Sequence, residues 1–405
     1  MADASSENSL HRSMNLLVLS FYGLGTIIGA GIYVLIGEVA GLAGSFMPLS
    51  FIVAGLIALF TGLSYCELSS RFPYCAGVAI YADKAWQFNW LSGLSGWMMV
   101  LTGIVSAAAI ANGFAAYLAV FVDLPRHWAI VILCFALCAT ALYGIKLSAT
   151  AVFLITLIEL TGLAYVVWIC AGMEAVDMAS AVSEGVAEFS WQGVLLGSFL
   201  AFYAFIGFED MVNVVEEVKS PRRNMPLGII LSIALATLAY VIVTFMVLRV
   251  STPQELSASS APLADLVERG GQDAGFIGAI SLLAVINGAL VQIIMASRVL
   301  YGMARMHLVS SSLAVINSMT KTPVLATVMV SLLVLVFALL LPLDSLARLT
   351  SAIMLLVFII VNFALLRIKR RDEAGESFIR LPQWVPMLGV ISSMALLVYQ
   401  LWYLF

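Results

Sequence analysis

Glu159 stands in the run Thr156-Leu157-Ile158-Glu159-Leu160-Thr161, an acid among residues that belong in an apolar medium. An ionised carboxylate at the centre of a bilayer costs roughly 3 kcal/mol or more, so such a side chain has to face an interior. A carboxyl held there can keep a proton in one state and release it when water or a cation arrives. Glu159 is therefore a candidate coupling group, and the alternative is a structural acid that bridges helices. Asn287, central in another apolar run, is a candidate partner for Glu159 or a cation ligand, and equally an interhelical hydrogen-bonding residue. Gln292, a little over one helical turn further on, reads the same way. Glu67, Glu209, Asp210, Glu216 and Glu217 fall at or near the ends of apolar runs, within reach of Arg71, Lys219, Arg222 and Arg223. Ion pairs among them would make a gate, with Glu67 and Glu209 the stronger candidates; a solvated face is the other reading for Glu216 and Glu217.

Two glycine-bearing strings suggest a second kind of chemistry. The first is Gly25-Thr26-Ile27-Ile28-Gly29-Ala30-Gly31-Ile32-Tyr33 and the second is Phe202-Tyr203-Ala204-Phe205-Ile206-Gly207-Phe208-Glu209. Glycine density of this kind invites local unwinding, and backbone unwound at membrane depth is tolerated only where it lines a cavity or meets a ligand. Freed N–H groups at a half-helix N-terminus attract a carboxylate, and freed carbonyls attract an ammonium or a cation. The plainer alternative is that these glycines let helices pack closely.

The elements that must position these residues are membrane helices. Of 405 residues, 62% are hydrophobic and only 10% charged, with a mean hydropathy of +1.07, against about 25% charged in soluble chains. Polar and proline-rich breaks divide the chain into about eleven apolar spans, each of a length to cross a hydrocarbon core of roughly 30 Å. They run near residues 14–36, 47–70, 90–122, 128–143, 149–172, 191–214, 226–250, 275–303, 323–341, 346–366 and 384–405. Residues 1–13 are polar with mixed charge and lack a secretory signal pattern, so they read as a cytoplasmic tail and the first span as a retained anchor. With that tail inside, Arg126, Arg249, Arg269 and Arg348 alone of the nineteen basic residues fall outside, as the retention of Lys and Arg on the cytoplasmic side requires. The expected location is a cell membrane, crossed many times, with lipid as a partner.

The composition excludes much else. The five cysteines sit in or beside apolar spans and read as packed thiols. Cys134 and Cys138 share a helix face and could hold a metal, yet no histidine accompanies them and His11, His127 and His307 fall in tails or loops, so neither a metal nor another cofactor is expected. Nothing implies nucleic acid, and one buried acid without a histidine partner is thin support for an enzyme. Spans one and six open two successive five-helix units, so a break in each points to a five-plus-five inverted repeat with a site at the repeat interface. The units are residues 14–172 and 191–367, followed by one additional helix at 384–405.

Three strings carry a resemblance to a known family: residues 25–34 (GTIIGAGIYV), 65–73 (YCELSSRFP) and 202–226 (FYAFIGFEDMVNVVEEVKSPRRNMP), with residues 298–305 (RVLYGMAR) in support. The chain resembles the amino acid, polyamine and organocation transporter superfamily, and within it the cationic amino acid transporter branch and its bacterial relatives. That resemblance implies an all-α transporter with helices 1 and 6 broken. It implies a substrate carboxylate at the N–H groups of Gly29, Ala30 and Gly31, and a substrate amine at the carbonyls of Ile27, Ile28, Tyr203, Ala204 and Ile206. Some proton-coupled relatives carry a lysine where Glu159 stands, and many continue to a twelfth helix beyond the eleven expected here. The function expected is secondary active transport of amino acids or related amines, with proton symport favoured over sodium coupling. Exchange of one amino acid for another, or reception without transport, are the alternatives. Ser106, Asn112, Thr350 and Ser351 are candidates either to line the cavity or to join helices.

Overall fold

The computed structural model describes residues 14–29, 31–72, 77–143, 149–176, 190–317, 319–320, 322–371 and 379–404. Among these the chain is helical throughout, and eight segments are long and apolar enough to cross a membrane. Three further apolar helices are shorter, at Leu16–Ile28, Arg126–Leu142 and Val324–Leu340. The protein is thus an all-α, multi-pass membrane protein.

The first expected span consists of two helices, α1 (Leu16–Ile28) and α2 (Gly31–Ala43). The Asn15 side chain starts α1 by accepting from Val18 N–H at 2.9 Å, which satisfies one of the amides a helix start leaves unpaired. A 3₁₀ turn links α2 to α3 (Met47–Arg71), so the chain stays helical for some turns beyond the expected end of span one. Then follow α4 (Gly77–Trp86), α5 (Asn89–Leu118), α6 (Arg126–Leu142) and α7 (Ala149–Gly172). The sixth expected span is α8 (Trp191–Ala201), a 3₁₀ turn at Phe202–Phe205 and a 3₁₀ helix at Phe208–Glu217. Beyond it lie α9 (Pro221–Val250), the short α10 (Pro253–Ala258) and α11 (Pro262–Arg269), then α12 (Ala274–Arg305). The chain closes with α13 (Val324–Leu340), α14 (Leu343–Arg370) and α15 (Trp384–Leu404).

The short helices α4, α10 and α11 lie where the sequence pattern predicted only connections. Each is too short or too polar to register as a span, but α10 begins on a capping box: Thr252 and Glu255 satisfy each other's backbone N–H. Packing explains the hydropathy pattern. Helix α1 lies against α7 and α9, α2 against α8 and α10, α3 against α9, and α5 against α12 and α14. The broken spans are therefore enclosed by other helices, while residues such as Phe135, Trp168, Phe245 and Leu332 remain exposed on the outer surface, as lipid contact requires.

Candidate functional site

Both glycine strings are broken in the folded chain. Helix α1 ends at Gly29, whose φ of 10° and ψ of −115° leave helical space, and α2 begins at Gly31. In the sixth span Ile206 is extended and Gly207 has a φ of 130°, a conformation that side chains on Cβ strongly disfavour. A Cβ at Gly207 would also collide with the Thr26 carbonyl, and one at Gly31 would stand 2.6 Å from the Ala204 Cα. The glycines thus serve both readings, since each opens a helix and lets the two breaks touch. Glu209 steadies the second break, because its carboxylate accepts the Gly207 N–H at 2.9 Å.

Between the breaks lies a cavity of about 570 Å³ including its open mouth, within the roughly 300–1,000 Å³ of small-molecule sites. Ile27, Gly29, Gly31, Tyr203, Ile206 and Asn287 line it, as do Tyr22, Thr26, Ser106, Asp210 and Gln292. Ile28 and Ala204 are buried beside it and are not in its wall. Ala30 lies outside the described residues.

The backbone groups of the site are partly engaged, which corrects part of the expected binding pattern. The Gly29 N–H already donates to the Gly25 carbonyl at 3.1 Å, closing the last turn of α1. The first turn of α2 instead offers the amides of a fresh helix start. The Ile206 N–H donates to the Tyr203 carbonyl at 3.1 Å, and the Tyr240 hydroxyl reaches the carbonyls of Ile27 at 2.9 Å and Ala204 at 2.8 Å. Each carbonyl keeps a second lone pair. Tyr240 is a residue that sequence reasoning missed: it sits in an uninterrupted apolar span, and only packing brings it to both breaks. The Tyr203 hydroxyl meets Ser106 at both its hydroxyl and its carbonyl, each at 3.0 Å, tying the second break to α5.

Glu159 is fully buried in α7, and its carboxylate has no hydrogen-bond partner among the described residues. Its backbone carbonyl accepts the Tyr33 hydroxyl at 2.6 Å, linking α7 to α2 just past the first break. The expected pair with Asn287 is not formed: Asn287 lines the cavity, Glu159 does not, and neither side-chain oxygen has a partner. The two residues stand on different faces of the packing around α1.

The acids at the ends of the spans separate into different roles. Glu67 is fully buried and pairs with Arg71 at 2.5 Å, with Lys369 at 2.8 Å and with the Leu381 N–H at 2.9 Å. The Arg71 partner was expected; the other two come from the opposite end of the chain. Glu209 forms no ion pair among the described residues and acts as the cap just noted. The tie from span six to the start of the chain is made by backbone instead, with Met14 N–H donating to Glu217 at 3.0 Å and Lys219 N–H donating to Met14 at 2.8 Å. Asn112 binds Arg126 and the Ala338 carbonyl, and so joins helices.

A pair of broken helices meeting at a buried cavity is a transporter's arrangement, and comparison with known sequences specifies which kind. The family model described as amino acid permease matches residues 14–404. The chain belongs to the amino acid permease family. It is 28% identical over 391 residues to the branched-chain amino acid permease of Bacillus subtilis, covering 92% of this chain and 84% of that one. It is 30% identical over 404 residues to cationic amino acid transporter 4 of Homo sapiens, covering 93% of this chain and 63% of that longer relative. A methylthioribose transporter of Bacillus subtilis is 27% identical over 416 residues, covering 96% of this chain and 88% of the relative. These are permeases and transporters, not enzymes. Membership sets the fold and the class, while the cargo named differs from one relative to the next.

Proposed function

We propose that the chain is a secondary active transporter of amino acids that works by alternating access, driven by proton symport, in the cell membrane with its N-terminus cytoplasmic. The observation that carries this reading is the pair of breaks at Gly29–Gly31 and at residues 202–207, facing each other across one cavity. The substrate's carboxylate would sit at the first amides of α2, at Ala30 and Gly31, where helix dipole and unpaired N–H groups favour an anion. Its amine would meet carbonyls around Ile27, Ile28, Tyr203, Ala204 and Ile206, several of them held in place by Tyr240. Residues 14–172 and 191–367 would be the inverted repeats that rock against each other around this fixed site, with 384–405 as an additional helix.

Glu159 would be the proton carrier, since a buried, unpartnered carboxyl is stable in the membrane only when neutral and must pick up and release its proton as access alternates. A second reading, exchange of one amino acid for another, is favoured by the separation of Glu159 from the cavity wall. The test is uptake of labelled amino acids into proteoliposomes with and without an inward proton gradient, for the native protein and Glu159→Gln. Symport requires accumulation that needs the gradient and is lost in the variant. Uptake confined to preloaded vesicles, equal in both proteins, would instead establish exchange and leave Glu159 structural.

A further inference from the structure

Beyond the backbone groups of the breaks, the cavity wall carries polar side chains with a common deficiency. Asp210, Asn287 and Gln292 are each more than nine-tenths buried, and all three line the cavity. Both carboxylate oxygens of Asp210, the Asn287 Oδ1 and the Gln292 Oε1 have no hydrogen-bond partner among the described residues. A buried acceptor without a donor costs about 1–3 kcal/mol, and more when it is charged. Four such atoms on two packed elements, Phe208–Glu217 and α12, around one cavity are far more than chance strain would leave.

All four atoms are acceptors, so the missing occupant is a donor. An anion is excluded by Asp210, and a neutral hydroxyl would leave the carboxylate's charge uncompensated in the membrane. A protonated primary amine fits: it has three N–H donors, no acceptor, and one positive charge to balance one carboxylate. We propose that Asp210, Asn287 and Gln292 form a recognition subsite for a second cationic nitrogen, a protonated amine at the end of the substrate's side chain.

The proposal rests on the reading of this cavity as the transport site. The same cavity reaches Gly31, Tyr203 and Ile206, where the α-carboxylate and α-amine would be held. What remains to fill the wall around Asp210 is the side chain. Asp210 follows directly on Glu209, whose carboxylate already caps the Gly207 N–H, so the two adjacent acids divide the work: one holds the break, the other faces the cargo.

Lysine and norleucine differ by the terminal amine alone, which makes them the direct probe. Uptake of labelled lysine and labelled norleucine is measured into proteoliposomes of the native protein and of Asp210→Asn, in sodium-free buffer and with sodium added. The native protein is expected to prefer lysine by about tenfold or more, the scale of a charge-assisted contact made to one substrate and not the other. In Asp210→Asn that preference is expected to collapse toward unity. Equal handling of the two by the native protein overturns the subsite without any variant, and so does a lysine preference that survives Asp210→Asn. Norleucine uptake that depends on sodium and loses that dependence in Asp210→Asn would give the acceptors to a metal ion, which also overturns the proposal. Transport of neither, nor of any other amino acid, would fail the transport reading itself, an outcome distinct from transport without preference.

Discussion

Tyr240 does at the scale of one residue what neither glycine string does alone. Its hydroxyl bridges the carbonyls of Ile27 and Ala204, and so fixes the distance between the two breaks. Tyr240→Phe removes the donor and leaves two buried acceptors short, which costs about 1–3 kcal/mol; the expected result is a lower apparent Tm in detergent together with weaker substrate uptake. Glu255 gives a pH-dependent case outside the spans. The Ser251 hydroxyl, helped by Arg269 and the Thr252 N–H, holds its carboxyl below the ordinary value of 4.5. A depressed folded-state pKa contributes stability that is full above the unfolded value and lost as pH falls through the folded one. Glu255→Gln should therefore melt lower than the native protein at pH 7, with the gap closing below about pH 4. Because Glu255 is half exposed, the gap should be about 1 kcal/mol at most.

The two broken spans decide the outcome at the scale of elements. Gly207 combines a φ of 130° with backbone contact to Thr26, so no side chain fits. Gly207→Ala is expected to cut the yield of folded monomer several-fold, since strain at positive φ of about 1–2 kcal/mol adds to a collision with backbone that cannot yield. Gly302 in α12 is the contrast: a Cβ there meets nothing within 4 Å, so Gly302→Ala should be neutral or stabilising by up to about 1 kcal/mol. Size-exclusion profiles of the two variants check both. The helices themselves were legible because lipid demands long apolar runs, and α7 spans residues 149–172 as its sequence pattern predicts. The short α4, α10 and α11 were not, since a helix outside the hydrocarbon needs neither length nor apolarity.

The whole molecule is closed by contacts between residues far apart in sequence. Glu67 joins α3 to Lys369 near the end of α14 and to Leu381 just before α15, so three parts of the bundle meet on one buried carboxylate. Glu67→Ala leaves Arg71 and Lys369 buried without a counter-charge, a loss of about 3–5 kcal/mol. The exposed pair Arg348–Asp344, at 3.9 Å, should lose under about 1 kcal/mol in Arg348→Ala. Thermal unfolding in detergent would separate the two, and near-equal shifts would show that the Glu67 cluster is solvated and does not hold the bundle together.

Composition and spacing by themselves determined that this chain lives in lipid, where the spans run and which two of them would break, because hydropathy and glycine placement act locally along the chain. They also marked Glu159 as an acid that must turn inward. Only the tertiary structure decided what each polar group faces. It put Asp210 and Gln292 in the cavity wall, left Glu159 behind it, brought Tyr240 to both breaks and paired Glu67 with Lys369. Helix rotation and packing set those partners, and a side chain's direction around a helix surrounded on all sides leaves no periodic trace in a sequence that is apolar all round.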